Sequence, residues 1–222
     1  MTYLTTETPL VRPENLSLID RWLLSSLQKL ISNVTEAFDN FQFNSALEAV
    51  RDFTWHSLAD NYLEAVKYRL NPDATGASSE AARYCLHECL ITICKLISPI
   101  CPHIAESIFQ HIPDKGPSET VHLSRWPIPD PKLMNEKWIM QGEILVETIA
   151  TSRRRKSEKG LSLKIPVKRL TIRGPEESLN VLRENKETIT RTIKVDELVL
   201  EPTQSSASET KEAIPLSVNI DA

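Results

Sequence analysis

Four cations stand in a row at Arg153, Arg154, Arg155 and Lys156, with Lys159 three positions on. Guanidinium groups present fork-shaped donors that match phosphate oxygens, so a helix end carrying them can bind the backbone of an RNA stem. At 100° per residue the four positions spread over about 300° of a helix, too wide for one salt-bridged face. The competing reading is a solvated helix terminus, where the helix dipole favours cations anyway. A second set comprises Arg21 beside Trp22, and Phe41, Phe43 and Asn44. Unpaired bases are read by stacking on aromatic or Arg planes and by hydrogen bonds to base edges, which makes Arg21, Phe41 and Phe43 base-contact candidates. Against that, an aromatic at a helix junction is more often core.

Two further clusters suggest chemistry and do not carry it. Cys85 and Cys89 fall on one helical face around His87, but tetrahedral zinc needs four ligands, and neither Cys94, Cys101 nor His87 shares that face neatly. Buried thiols are the better reading, and no metal site is expected. His103 and Glu106 resemble an acid–base pair, yet no nucleophile, glycine-rich phosphate loop or oxyanion feature accompanies them, so no catalytic residue is assigned.

Helices must position these groups. Leu16, Ile19, Leu23, Leu27, Leu30, Val34 and Phe38 recur at steps of three and four, which predicts a helix from about Asn15 to Asn40. Ser45 to Glu48 has the form of a capping box, and Leu47, Val50, Phe53, Leu58, Tyr62, Val66 and Leu70 carry a second helix onward. Trp55 and Tyr62 are expected to pack the bundle, with Asp60 or Glu64 pairing Lys67 or Arg69. A turn-rich stretch at 71–79 precedes a third helix, about Ser79 to Ile97, and Pro102 suits the first turn of a short fourth helix through His111. Five prolines between 113 and 133 indicate an extended surface connection. A fifth helix follows from about Asn135 to Lys159, stopped by Gly160.

Beyond Gly160 the period changes. Lys164 to Arg173 is β-rich, Glu176 to Thr190 helical, and Ile193 to Leu200 and Ile214 to Ile220 strand-like, with a loose Ser/Thr-rich segment at Thr203 to Lys211. The chain is therefore expected to be mainly α: a lead-in segment at 1–13, an antiparallel helical bundle at 14–160 and a small β-α-β module at 161–222.

Composition narrows the setting. The 222 residues carry a formal net charge of −4, which argues against bulk electrostatic capture of nucleic acid. Locally the balance reverses, because residues 151–175 hold nine Lys or Arg against one acid, Glu158. No secretory signal or run of eighteen apolar residues is found, and the four cysteines sit at apolar helical positions rather than in a disulfide framework. A cytoplasmic protein with no membrane partner is expected.

The stretch from Phe41 to Leu70, closed by Trp55, Asp60, Tyr62, Leu63, Glu64 and Lys67, is followed by Ser98 to Glu106 (SPICPHIAE) and Arg153 to Val167 (RRRKSEKGLSLKIPV). In that order and spacing the three segments resemble the helical anticodon-binding domain of the class I aminoacyl-tRNA synthetases for valine, leucine and isoleucine. The third looks most like the valine enzyme of archaeal type. The resemblance covers roughly residues 14–200. It implies an antiparallel helical anticodon-binding bundle, recognition of a tRNA anticodon stem-loop, and a catalytic domain of the same polypeptide that would use ATP and Mg²⁺. That family's His-x-Gly-His signature and Lys-Met-Ser-Lys-Ser loop are both absent from these residues, so no cofactor is expected here. Two alternatives stand beside valine: the leucine or isoleucine enzyme, and a free-standing helical interaction protein derived from such a domain.

Overall fold

The computed structural model describes residues 11–71, 73–116, 119–203 and 217–221. The chain divides into two compact units, Met1–Leu63 with Arg69–Ile139, and Glu64–Tyr68 with Met140–Ala222.

The first unit is helical. Helix α1 (Leu18–Asp39) buries Ile19, Leu23, Leu27, Leu30 and Val34, the stripe its periodicity predicts, and also Trp22, Leu24 and Ile31, so it is enclosed on more than one side. A tight turn leads to α2 (Phe43–Asp52), which begins two residues before the predicted capping box and continues without a break into a π-helical segment, Phe53–Leu63. In that segment each backbone bond spans five residues instead of four, which widens the turn. Tyr62 is fully enclosed as expected, but Trp55 is 66% exposed instead of packing the bundle. Helix α3 (Ala77–Ile97) starts at Gly76, whose φ of +92° suits glycine alone, and α4 (Pro102–Gln110) opens on Pro102.

α1 and the second helical run form a hairpin whose base is locked by charge. Asp20 is completely buried and accepts hydrogen bonds from the Arg69 guanidinium (2.8 and 3.0 Å), the Tyr62 hydroxyl (2.7 Å) and the Ser17 N–H (3.0 Å). Arg69 also donates to the Ser78 carbonyl at the start of α3 (2.7 and 3.0 Å) and to the Ser17 hydroxyl (3.3 Å). The proline-rich connection is pinned along α1 by three bonds: Trp126 Nε1 to Thr35, the Asp130 N–H to Gln28, and Ser25 to the Leu133 carbonyl. Glu106 holds the same connection to α4, accepting from Thr120 (2.8 Å) and the Val121 N–H (2.9 Å), while His103 lies exposed. Glu106 thereby fastens the connection to α4.

The second unit contains most of α5 (Glu136–Glu158), followed by β1 (Val167–Gly174), α6 (Glu176–Glu184), α7 (Lys186–Ile193), β2 (Val195–Pro202) and β3 (Ser217–Asp221). β1 is the central strand, parallel to β2 and antiparallel to β3. Along it Leu170 and Ile172 are buried while Arg169 and Arg173 face out, paired to Glu197 and Glu201 across the strand. The single helix predicted from Glu176 to Thr190 is two. Asn185 ends the first, its side-chain amide donating to the Val181 carbonyl at 2.8 Å, and stands at the start of the second. The loose segment predicted at Thr203 to Lys211, the lead-in before residue 11 and the first residues of the last predicted strand lie outside the described residues, Thr203 itself excepted.

Candidate nucleic-acid interface

Each unit carries one of the predicted residue sets. On the first unit, the α1–α2 turn raises Phe41 and Phe43 into solvent, 80% and 49% exposed. Phe41 has φ +57°, a left-handed conformation that a bulky residue enters only at a cost of about 1–3 kcal/mol. Its ring meets Phe43 edge-on at 6.3 Å, Phe43 meets Phe38 at 5.7 Å, and Phe38 meets Trp126 at 5.5 Å. The exposed rings are thus the outer end of an aromatic chain anchored in the bundle. Gln42, Asn44 and Ser45 complete the same cleft with amide and hydroxyl groups able to read a base edge.

Arg21 is placed elsewhere. It lies in the first turn of α1, twenty residues from Phe41, which at 1.5 Å per residue is about 30 Å along the helix. Its guanidinium stacks over Trp138 at 5.3 Å to the ring centroid, so one of its two planar faces is occupied by protein. The structure does not bring Arg21 and the two phenylalanines onto one surface.

Trp55 borders a different feature, a mostly aliphatic groove of about 510 Å³ between α2, its π-helical continuation, α3 and α4. Ile104 and Ile108 open onto it, 61% and 37% exposed. Cys85, Cys89 and Cys94 are core residues, while Cys101 is only half-buried; burial pushes the Cys85 and Cys89 thiols well above the ordinary range, and Cys94 up to about 11. Thiols held so firmly protonated are poor metal ligands and poor nucleophiles.

On the second unit, the end of α5 sorts the basic run residue by residue. Arg154 and Arg155 are exposed. Arg155 reaches Glu158 at 3.0 Å, a surface pair both of whose members are about half exposed and therefore worth little. Arg153 is partly buried and pairs with Glu64 at 3.0 Å, while Glu64 also accepts from Lys67. Lys159 is exposed and its ammonium donates to the Ile220 carbonyl.

Lys156 departs from the expectation of a surface cation, since it is completely buried. Its ammonium donates to the carbonyls of Ile165 (2.6 Å) and Ile193 (3.0 Å), with a longer contact to Leu163 (3.5 Å). Burial, with the positive Lys194 nearby, lowers its pKa below the ordinary lysine value. Four successive positions on a helix packed along one side must turn at least one inward, and the apolar residues Leu145 and Ile149 mark that side at eleven and seven positions before Lys156. Lys194 donates to the Lys164 carbonyl of the same loop at 3.3 Å and has no sequence signal of its own.

These features match a known family. The model for the anticodon-binding domain of tRNA ligase matches residues 20–172. Among curated proteins, the valine–tRNA ligase of Methanosarcina barkeri is 41% identical over 159 residues, covering 72% of this chain and 18% of that protein. That of Methanothermobacter thermautotrophicus is 35% identical over 182 residues, 82% of this chain and 20% of its own length. That of Methanocaldococcus jannaschii is 34% identical over 199 residues, 89% and 22%. The chain spans about a fifth of the length of these relatives. Among the described residues no helix is long and apolar enough to cross a membrane. With a match over most of its length and a helical bundle of the expected kind, the chain belongs to the family of anticodon-binding domains of tRNA ligases.

Proposed function

We propose that this chain is the tRNA-binding portion of a valine–tRNA ligase working in the cytoplasm, and that it recognises the anticodon stem-loop. A catalytic domain of the same polypeptide would supply ATP- and Mg²⁺-dependent formation of valyl-adenylate and transfer to the tRNA 3′ end. The observation that carries the reading is Phe41, a large apolar ring held in water by a strained backbone, beside amide groups at the tip of a locked hairpin. Unpaired loop bases are the partner such a ring suits, while Arg154, Arg155 and Lys159 supply donors for the phosphate backbone.

Binding titrations against tRNAs for valine, isoleucine and leucine test the proposal, with the valine tRNA expected to bind tightest. Equal affinity for all three would remove anticodon selection from this chain. Replacing Arg154 and Arg155 together by Ala is expected to weaken every tRNA about equally and to flatten the salt dependence by nearly one unit of slope per phosphate released. Wild-type affinity at low salt, with the fold intact by circular dichroism, would reduce that helix end to a solvated terminus. The purified chain is also expected to show no valine-dependent pyrophosphate exchange above background, since neither nucleotide-binding motif of these synthetases occurs in it.

A further inference from the structure

The basic run ends in a Schellman cap: Gly160, at φ +68°, donates its N–H to the Ser157 carbonyl at 2.9 Å, and the Leu161 N–H reaches back to the Lys156 carbonyl at 2.9 Å. The chain then crosses residues 161–166 to β1 with little secondary structure of its own. Within this loop the Ile165 N–H meets the Ser162 carbonyl at 3.1 Å and the Lys164 N–H meets Ser162 Oγ at 3.3 Å.

Three successive loop carbonyls each receive a lysine ammonium. Lys156 takes those of Leu163 and Ile165, and Lys194, from the left-handed cap of α7, takes that of Lys164 at 3.3 Å. Lys156 simultaneously ties the loop to the Ile193 carbonyl at the end of α7. No carboxylate pairs with Lys156 among the described residues. A carbonyl cage satisfies its three donors without neutralising it, so its charge still adds to the local positive field while its atoms are out of reach of a ligand.

We propose that Lys156 is the positioning residue of the basic RNA-facing surface, a buried clamp that, with Lys194, fixes the 161–166 loop so that Lys164 is held at a phosphate-binding position beyond Lys159. The inference rests on the RNA-binding reading above and adds the loop and its clamp to it. Lys156 makes no phosphate contact. What it supplies is a fixed loop, which spares the bound state the cost of ordering it.

The test uses the whole chain carrying Lys156→Met, Lys156→Arg or Lys194→Met, with two readouts. Hydrogen exchange without RNA reports the clamp. In Lys156→Met the hydrogen-bonded amides of the loop, those of Leu161, Lys164 and Ile165, are expected to lose at least about tenfold in protection while those of α1 and α3 keep theirs. Lys156→Arg keeps the charge, but its planar fork cannot reproduce three converging donors, so it is expected to lose protection too. Valine-tRNA titrations across salt report the coupling: affinity is expected to fall about tenfold in both variants, with the slope reduced by roughly one for each phosphate no longer engaged. Lys194→Met changes an exposed side chain and so keeps the fold if the buried variants do not, and it is expected to shift both readouts in the same direction by less. Unchanged loop protection in Lys156→Met and Lys194→Met overturns the clamp. Reduced protection with wild-type affinity in both variants overturns the coupling, and wild-type affinity in Lys156→Arg alone overturns it too, by assigning the loss in Lys156→Met to charge. If the unmodified chain binds no tRNA, the RNA-binding reading fails, while the exchange readout still decides whether the clamp exists.

Discussion

Replacing Asp20 by Ala is expected to destabilise the helical unit by about 3–5 kcal/mol, because it leaves the Arg69 guanidinium, 4% exposed, as an uncompensated buried charge. The Tyr62 hydroxyl loses its acceptor in the same step, and the Ser17 N–H loses its cap. Exchange protection of the α1 and α3 amides should fall more than about a hundredfold. The whole cluster can be removed more gently than broken. Replacing Asp20, Tyr62 and Arg69 together by Leu, Phe and Met takes out both charges and the hydroxyl, and should be less damaging than Asp20→Ala alone, since apolar substitution of a complete buried pair is often close to neutral. A destabilisation below about 1 kcal/mol for Asp20→Ala would show that Arg69 finds other partners and that the hairpin base is not locked there.

That lock bears on function through geometry. Asp20 lies near one end of α1 and Phe41 just beyond the other, and Arg69 closes the returning run that begins at Phe43. A hairpin fixed at its base presents its tip in one orientation, which a stacking surface requires if the bases it receives are to meet Asn44 and Gln42 at hydrogen-bond distance. Fixing the base with a buried ion pair instead of a few more leucines favours one pairing of helices over slipped alternatives, since a shift of either helix would strand a charge.

Most of the helical fold was legible because its helices are amphipathic at the helical period, and α3 and α5 lie within two residues of their expected limits, with α1 starting three residues late. The misreadings have separate causes. Trp55 stands two positions from the buried Phe53, about 200° around the helix at 100° per residue, so the spacing already turned it outward and only its apolar bulk suggested packing. Asn185 breaks α6 from α7 through one side-chain bond. The basic run shows the limit most clearly. Its charge was visible and so was its spread of about 300°, three steps of 100° between four positions, but Lys156 separates from Arg154 and Arg155 only when the loop and α7 come together around it. Asp20 and Arg69, 49 positions apart, likewise carried no local sign of partnership.

Phe41 is expected to show opposite signs in stability and in binding. In the free protein its ring contributes little packing, being 80% exposed, while its φ of +57° is strained. Phe41→Gly relieves that strain and should stabilise the unit or leave it unchanged, the cost of glycine's unfolded-state entropy offsetting part of the gain. Toward tRNA the same change removes a stacking surface worth about 1–3 kcal/mol per base, a drop of roughly 5- to 150-fold in affinity. Because no charge is altered, the salt slope should stay at its wild-type value, the reverse of the pattern expected for Arg154 and Arg155. Stacking tolerates any base, so discrimination between the valine tRNA and its competitors should narrow with Asn44→Ala and hold with Phe41→Gly. Phe43→Ala is less clean, since Phe43 also packs on Phe38 at 5.7 Å and its removal should weaken fold and binding together. A stabilised Phe41→Gly variant that binds tRNA as tightly as the parent would show that the ring is held in water for a partner other than RNA.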